Sequence, residues 1–224
     1  MAASSVGQRA AVHVSVAGPV PYKIARFNRT FTAGDVQLSR RHFDPHSSDP
    51  VYPLEYPLDE LLMIHLLSQG KGVEIHGCGL LDRAGRAYVF AGQSGAGKST
   101  MARLWLNHGD VRLLSDERVV LRTDRDRITV YGTPWHGDAM TASPLSGELA
   151  GVFFLNHAPT HDVVPIGGSR AAAKLLACSF VPFHSAEAVD RTVAALERVS
   201  ERAVCYDLRF APDPSVIDVL TNYM

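Results

Sequence analysis

The chain has 224 residues, of which 46% are hydrophobic and 20% charged, the balance of a globular protein with one sizeable core. Its 22 basic and 23 acidic residues leave a formal net charge of −1, which excludes the basic surface that nucleic acid or an acidic membrane requires. The longest apolar runs fall far short of the roughly 20 residues that span a bilayer.

Residues 1–11 are small and polar with no apolar h-region, which predicts no signal peptide and a cytoplasmic protein. Val12, Val14 and Val16 alternate within residues 11–17 and predict a strand, which Gly18, Pro19 and Pro21 end. Residues 22–27 suit a second strand. Pro45, Pro50, Pro53 and Pro57 make residues 43–57 an extended connection. Residues 58–68 have apolar positions at helical spacing, with Asp59 and Glu60 in the first turn and Gly70 to close it. His65 on this segment reads as a packed residue. Strands are predicted at 73–75 and 86–91, with a turn over 82–85. A glycine-rich loop and a helix through about residue 107 come next. A short strand at 112–114 precedes a hairpin of 119–123 and 128–131 around Asp124-Arg125-Asp126. A buried strand is expected at 149–155. Ser169 and Ser185 are placed to cap helices over 170–178 and 186–199. A strand at 203–210 and a short helix from Ser215 complete the chain. The mixture predicts an α/β fold, and the hairpins make its sheet mixed. Cys78, Cys178 and Cys205 are odd in number and widely spaced, which predicts buried, reduced thiols.

Gly92-Gln93-Ser94-Gly95-Ala96-Gly97-Lys98-Ser99 fits G-x-x-x-x-G-K-[ST] between a predicted strand and a predicted helix. A chance match in a chain of this length is on the order of 1%. The glycines let successive N–H groups turn inward as an anion nest, and the helix N-terminus adds unpaired donors. Lys98 reaches the β- and γ-phosphates, Ser99 is placed to ligate Mg²⁺, and Thr100 continues the phosphate-binding run. Leu113-Leu114-Ser115-Asp116-Glu117 is an apolar strand that ends in two carboxylates, 18 residues after Lys98. One helix and one short strand fill that interval. The strand can therefore return beside the loop and bring its carboxylates to the phosphates. One carboxylate suits a metal, and the other suits a proton from an attacking hydroxyl. The short interval disfavours transport ATPases and switch GTPases.

Ile75-His76-Gly77, the phosphate loop and Leu114-Ser115-Asp116-Glu117-Arg118-Val119 together resemble the catalytic domain of HPr kinase/phosphorylase. That fold is related to phosphoenolpyruvate carboxykinase. The resemblance is nearer to shorter HPr-kinase-like proteins, some of which phosphorylate serine in ribosomally made peptides. Those relatives share segments like 52–70, Gly132-Thr133-Pro134-Trp135-His136-Gly137, and Leu208-Arg209-Phe210 with Pro212. The resemblance implies a single P-loop kinase domain of this type with a mixed sheet. Residues 1–57 would supply N-terminal strands and the connection, and residues 58–224 the kinase core. It implies ATP- and Mg²⁺-dependent phosphorylation of a serine or threonine hydroxyl on a protein or peptide. Lys98 would bind phosphate. Ser99, Asp116 and Glu117 would serve the metal. Asp116 would act as base or acid, Glu117 as metal or phosphate neighbour, or the two exchanged. His76 would orient or relay. The family carries two aspartates where this chain has Asp116 and Glu117, and a glutamate where it has Thr100.

Residues 135–138 (Trp135-His136-Gly137-Asp138) are placed at a site rim. His157 and His161 stand four apart with Pro159 between them, which opposes a helical metal pair. Arg118, Arg170 and Arg209 are candidates to neutralise transferred phosphate. Met63, Met101 and Met140 read as core or loop filling. Two other functions fit the same motifs: a small-metabolite P-loop kinase, and a non-catalytic nucleotide sensor or assembly partner. A homo-oligomer is compatible with each.

Overall fold

The computed structural model describes residues 10–14, 21–28, 30–40, 46, 52–124, 126–183 and 185–224. The chain divides into two compact units, Met1–Leu66 and Leu67–Met224. The division falls near the end of the helix that follows the expected 43–57 connection.

In the first unit β1 (Ala10–Val14), β2 (Lys23–Phe27) and β3 (Gly34–Leu38) form an antiparallel sheet in that order. The first two match the expected strands, although residues 15–17, Gly18 and Pro19 lie outside the described residues. β3 was not foreseen. Residues 53–57 form turns; of the rest of the expected 43–57 connection only His46 and Tyr52 are described. Helix α1 (Leu58–Leu67) follows as its spacing predicts. Leu58 is buried with Ala25 and Phe27. His65 stacks on Phe31 with ring centroids 4.3 Å apart, so it is indeed a packed residue.

The second unit is α/β with a mixed sheet. Its strands are β4 (Gly72–Leu81), β5 (Arg86–Ala91), β6 (Arg112–Ser115), β7 (Arg118–Thr123), β8 (Ile128–Gly132), β9 (Ser146–His157), β10 (Asp162–Ile166) and β11 (Val204–Phe210). The path runs β10-β11-β9-β5-β4-β7-β8, with β6 beside β4. β8 also pairs with β9, so β9, β5, β4, β7 and β8 close into a five-stranded barrel. The sequence carried no sign of that closure. β5 and β11 run parallel to β9, and the other pairings are antiparallel.

Alternation along the strands builds two cores. Val89, Ala91, Val152 and Phe154 join Val73, Ile75, Val119, Leu121 and Val130 in a cluster fed by all five barrel strands. Helices α3 (Gly168–Ala177) and α4 (Ala186–Arg202) add Ala171, Leu175, Leu196 and Val199 to it. The alternate residues Tyr88, Phe90, Phe153, Leu155 and Phe210 pack against helices α2 (Lys98–His108) and α5 (Ser215–Leu220). α2 contributes Met101, Ala102 and Trp105, one face at helical spacing. The helix pairs thus lie on opposite faces of the β5-β9-β11 sheet.

Three expectations need correction. Ser169 does not cap α3: the helix starts at Gly168 behind Gly167, with no side-chain cap bond. β9 begins three residues before the expected start, and β4 continues through His76 to Leu81. By contrast, Ser185 accepts from the Ala188 amide at 3.3 Å and caps α4 as predicted. The 119–123/128–132 hairpin also forms, although Arg125 at its tip lies outside the described residues. The three cysteines are free and buried. No helix among the described residues is long and apolar enough to cross a membrane.

Candidate functional site

β5 ends at Ala91, and the chain curls through residues 92–97 into α2. Gly95 has φ +80° and Gly97 φ +100°, conformations that favour glycine. A Cβ on Gly97 would also stand 2.7 Å from Phe210 Cζ. The arch is fastened at both limbs. The Gly92 amide donates to the His76 carbonyl at 3.2 Å, and His157 Nε2 lies 2.8 Å from the Gly95 carbonyl. The Lys98 side chain folds back into the arch, donating to the Gly92 carbonyl at 3.1 Å and to that of Gln93 at 3.0 Å. Burial lowers the Lys98 pKa, and the nearby Glu117 carboxylate opposes that shift.

β6 lies beside β4 and delivers Asp116 to the first turn of α2. The Asp116 side chain is fully buried. It accepts from Ser99 Oγ at 3.2 Å and from the amides of Gly137, Ala139 and Thr141 at 2.9, 2.8 and 3.2 Å. The last three come from the loop between β8 and β9, which wraps the carboxylate. Burial works to raise the Asp116 pKa, but these donors outweigh it and hold the carboxyl below its ordinary value.

Glu117 is more open than Asp116. Its carboxylate is about one-third exposed, and Oε1 lies 3.5 Å from His76 Nε2. His76 reaches this point from β4, where it faces Arg118 on β7 in register. The His76 backbone amide is anchored on the Cys178 carbonyl at 2.7 Å. Burial lowers the His76 pKa, Lys98 and Arg118 lower it further, and Glu117 opposes them. The imidazole is therefore neutral at neutral pH.

A position beside Gly137 brings three oxygens together. A Cβ there would stand 2.9 Å from Asp116 Oδ2, 3.1 Å from Glu117 Oε2 and 3.2 Å from Ser99 Oγ. Such a hard oxygen set suits Mg²⁺ completed by water and phosphate oxygens. Among the described residues no three His, Cys, Asp or Glu side chains gather into an all-protein metal site.

Apart from buried Asp116, these groups line one cleft of about 510 Å³. His76, Ser94, Gly95, Gly97, Lys98, Ser99, Thr100 and Glu117 face it, with Gly137 and Asp138 at its rim. Of the remaining loop residues, Gly92 and Gln93 meet Lys98 through their carbonyls, and Ala96 packs behind the arch. None of the three arginines singled out from sequence lines the cleft, although Arg118 is close enough to His76 to lower its pKa. Arg118 is held between the rings of Phe180 and Trp135 near buried Glu74, and Arg170 pairs with Asp207 at 2.6 Å. Arg209 is exposed on β11. The cleft's arginine is instead Arg103, which donates to the Asp138 carbonyl at 2.8 Å. Its spacing of four from Ser99 put it on the same helix face, a signal that was available. His157 also belongs at the loop. His161 sits apart, on Ser215 Oγ at 2.8 Å. Of the methionines, Met101 is buried and Met140 is exposed.

The chain matches no protein-family model and no curated protein.

Proposed function

We propose that residues 67–224 form a P-loop phosphotransferase of the HPr-kinase type, which transfers the γ-phosphate of ATP to a serine or threonine hydroxyl of a protein or peptide. One observation carries this reading. The phosphate loop with Ser99 and the His76–Glu117 pair line the same cleft, and buried Asp116 accepts from Ser99 Oγ at its edge. The acceptor class rests on the resemblance of residues 75–120.

The loop amides and Lys98 would cradle the β- and γ-phosphates, with Lys98 exchanging its two carbonyl partners for phosphate oxygens. Arg103 would approach the same charge from the next turn of α2. Ser99 and Asp116 oxygens would hold Mg²⁺, whose charge would offset that on the transferring phosphoryl. The hydrogen bonds favour different roles for the two carboxylates. Asp116 has four donors and a depressed pKa, which makes it a poor proton acceptor but a firm anchor for Ser99 and the rim loop. Glu117 is exposed to the cleft and backed by a neutral histidine. We therefore assign Glu117 as the base that takes the hydroxyl proton while the oxygen bonds to the γ-phosphorus and ADP leaves. His76 orients that carboxylate and shares the proton.

The test is phosphoryl transfer from Mg·ATP to a serine- and threonine-containing peptide library by wild type and Glu117→Gln. The expected result is wild-type transfer that falls about 10²–10³-fold in the variant, with ATP affinity retained. ATP binding without transfer to any hydroxyl would overturn the assignment.

A further inference from the structure

Arg118 follows Glu117 in the chain and stands directly across the β4–β7 pairing from His76, so it adjoins both members of that pair. Its side chain is only 15% exposed and does not reach into the cleft. Cζ lies 4.6 Å from the ring centroid of Phe180 and 5.6 Å from that of Trp135, and Nη1 is 3.6 Å from Glu74 Oε1. Glu74 is buried, two residues before His76 on β4, so the carboxylate and the imidazole share a face of that strand.

The partners of Arg118 come from separate parts of the chain, and each part also carries a piece of the site. β4 carries Glu74 and His76. β7 begins at Arg118, immediately after Glu117. Residues 178–180 run antiparallel beside β4: the His76 amide donates to the Cys178 carbonyl at 2.7 Å, and the Phe180 amide to that of Glu74 at 3.0 Å. Trp135 opens the rim loop whose amides hold Asp116. Ser115 Oγ joins two of these parts. It accepts from the amides of Glu117 and Arg118 at 3.1 Å each and donates to the Trp135 carbonyl at 2.8 Å.

A buried ion pair gains little net stability over apolar side chains of the same shape, so stability alone does not account for Glu74 and Arg118. Geometry does. A guanidinium is planar and stacks on aromatic rings, which fixes its orientation, whereas an ammonium is a point charge and leaves it free. Two rings and a carboxylate leave this guanidinium one orientation, and Glu117 is the next residue along the backbone. Glu117 Oε1 lies 3.5 Å from His76 Nε2, just outside the range of about 2.6–3.2 Å in which a proton is passed. A small shift at the start of β7 therefore decides whether the two groups meet.

We propose that Arg118 is a positioning residue for phosphoryl transfer, clamped by Phe180, Trp135 and Glu74 so that β4, β7 and the rim loop hold Glu117 against His76. It acts through that pair and touches neither phosphate nor acceptor. This inference rests on the phosphotransferase reading above.

The test is initial rates of transfer from Mg·ATP to the serine- and threonine-containing peptide library, with ATP varied, for wild type, Arg118→Lys, Trp135→Leu, Trp135→Phe and the double variant Arg118→Lys/Trp135→Leu. Rates are taken per ATP-binding site, so unfolded chain is not counted. Arg118→Lys keeps the charge beside Glu74 but not the plane, and should lower kcat about 10- to 100-fold, the cost of a misplacement of up to about 1 Å. Trp135→Leu should lower kcat about tenfold, the scale of one lost cation–π contact away from water. Trp135→Phe keeps a ring over the guanidinium and should stay within about threefold of wild type. KM for ATP should stay within about twofold throughout, because only the reacting geometry is disturbed. In the double variant, loss of the ring should cost no more than about threefold beyond Arg118→Lys, since no plane is left for it to hold.

Wild-type kcat in Arg118→Lys would overturn the clamp. So would equal losses in Trp135→Leu and Trp135→Phe, or fully additive losses in the double variant. A raised KM for ATP at unchanged kcat in Arg118→Lys would make Arg118 a phosphate ligand instead. ATP binding by wild type with no transfer would overturn the phosphotransferase reading, and the clamp with it.

Discussion

Gly137→Ala isolates the oxygen cluster from the rest of the site. Gly137 does not adopt a left-handed φ, so alanine fits its backbone without torsional strain. The added methyl instead lands 2.9 Å from Asp116 Oδ2, 3.1 Å from Glu117 Oε2 and 3.2 Å from Ser99 Oγ, all closer than ordinary contact. The three oxygens must part, or the rim loop must lift off Asp116. Either shift costs about 1–3 kcal/mol of stability, the usual scale of overpacking. It also puts a hydrocarbon group where charge on the transferring phosphoryl is to be neutralised. Loss of one such electrostatic stabiliser lowers turnover about 10²–10³-fold. The assay is transfer from ATP across an Mg²⁺ titration, alongside ATP binding without metal. Metal-free affinity should stay within about twofold, because the loop amides and Lys98 are untouched. Turnover within about threefold of wild type with the same Mg²⁺ dependence would refute the assignment of this position.

Three further outcomes follow from the same geometry. Lys98→Ala should weaken tripolyphosphate binding about 10- to 100-fold, the loss expected of one charged donor; calorimetry that finds wild-type affinity would remove Lys98 from the phosphate site. Asp116→Asn should keep ATP binding, lose transfer and cost about 1–3 kcal/mol in urea denaturation, because an amide N–H₂ would face donors that now meet oxygen; wild-type stability would show that the rim loop does not depend on the carboxylate. The folded chain holds His76 below its ordinary value, so below about pH 6.5 the unfolded chain binds a proton that the folded chain lacks. The stability from neutral His76 is therefore complete above about pH 6.5 and is lost as pH falls through the folded pKa. Wild type should lose more stability than His76→Gln between pH 8 and 5, and equal losses would contradict the burial argument.

The glycine-rich arch between β5 and α2 was legible because its geometry is local. Residues 86–108 contain the strand, the arch and the helix, and each obeys a short-range rule. Asp116 and Glu117 were legible as a pair, since an apolar strand ending in carboxylates needs only its interval from Lys98. Which of the two would be buried under the rim loop was not, because three of the donors that occupy Asp116 come from residues 137–141. No pattern in that glycine- and threonine-containing loop announces which carboxylate its amides will meet. The barrel was hidden for the same reason: closure depends on Thr129, Val130 and Tyr131 pairing with residues 146–148, a stretch too polar to read as strand. β10 escaped because Pro165 interrupts it, and an edge position tolerates that residue.

The central claim is that this cleft moves phosphate from ATP to a hydroxyl of a protein or peptide. The most direct measurement is transfer of γ-labelled phosphate from Mg·ATP into an extract of the source cell, by wild type and Glu117→Gln. The account predicts an acid-stable phosphoserine or phosphothreonine signal in a protein or peptide fraction, present with wild type and absent with the variant. Label confined to small molecules, or equal labelling by both proteins, would contradict it.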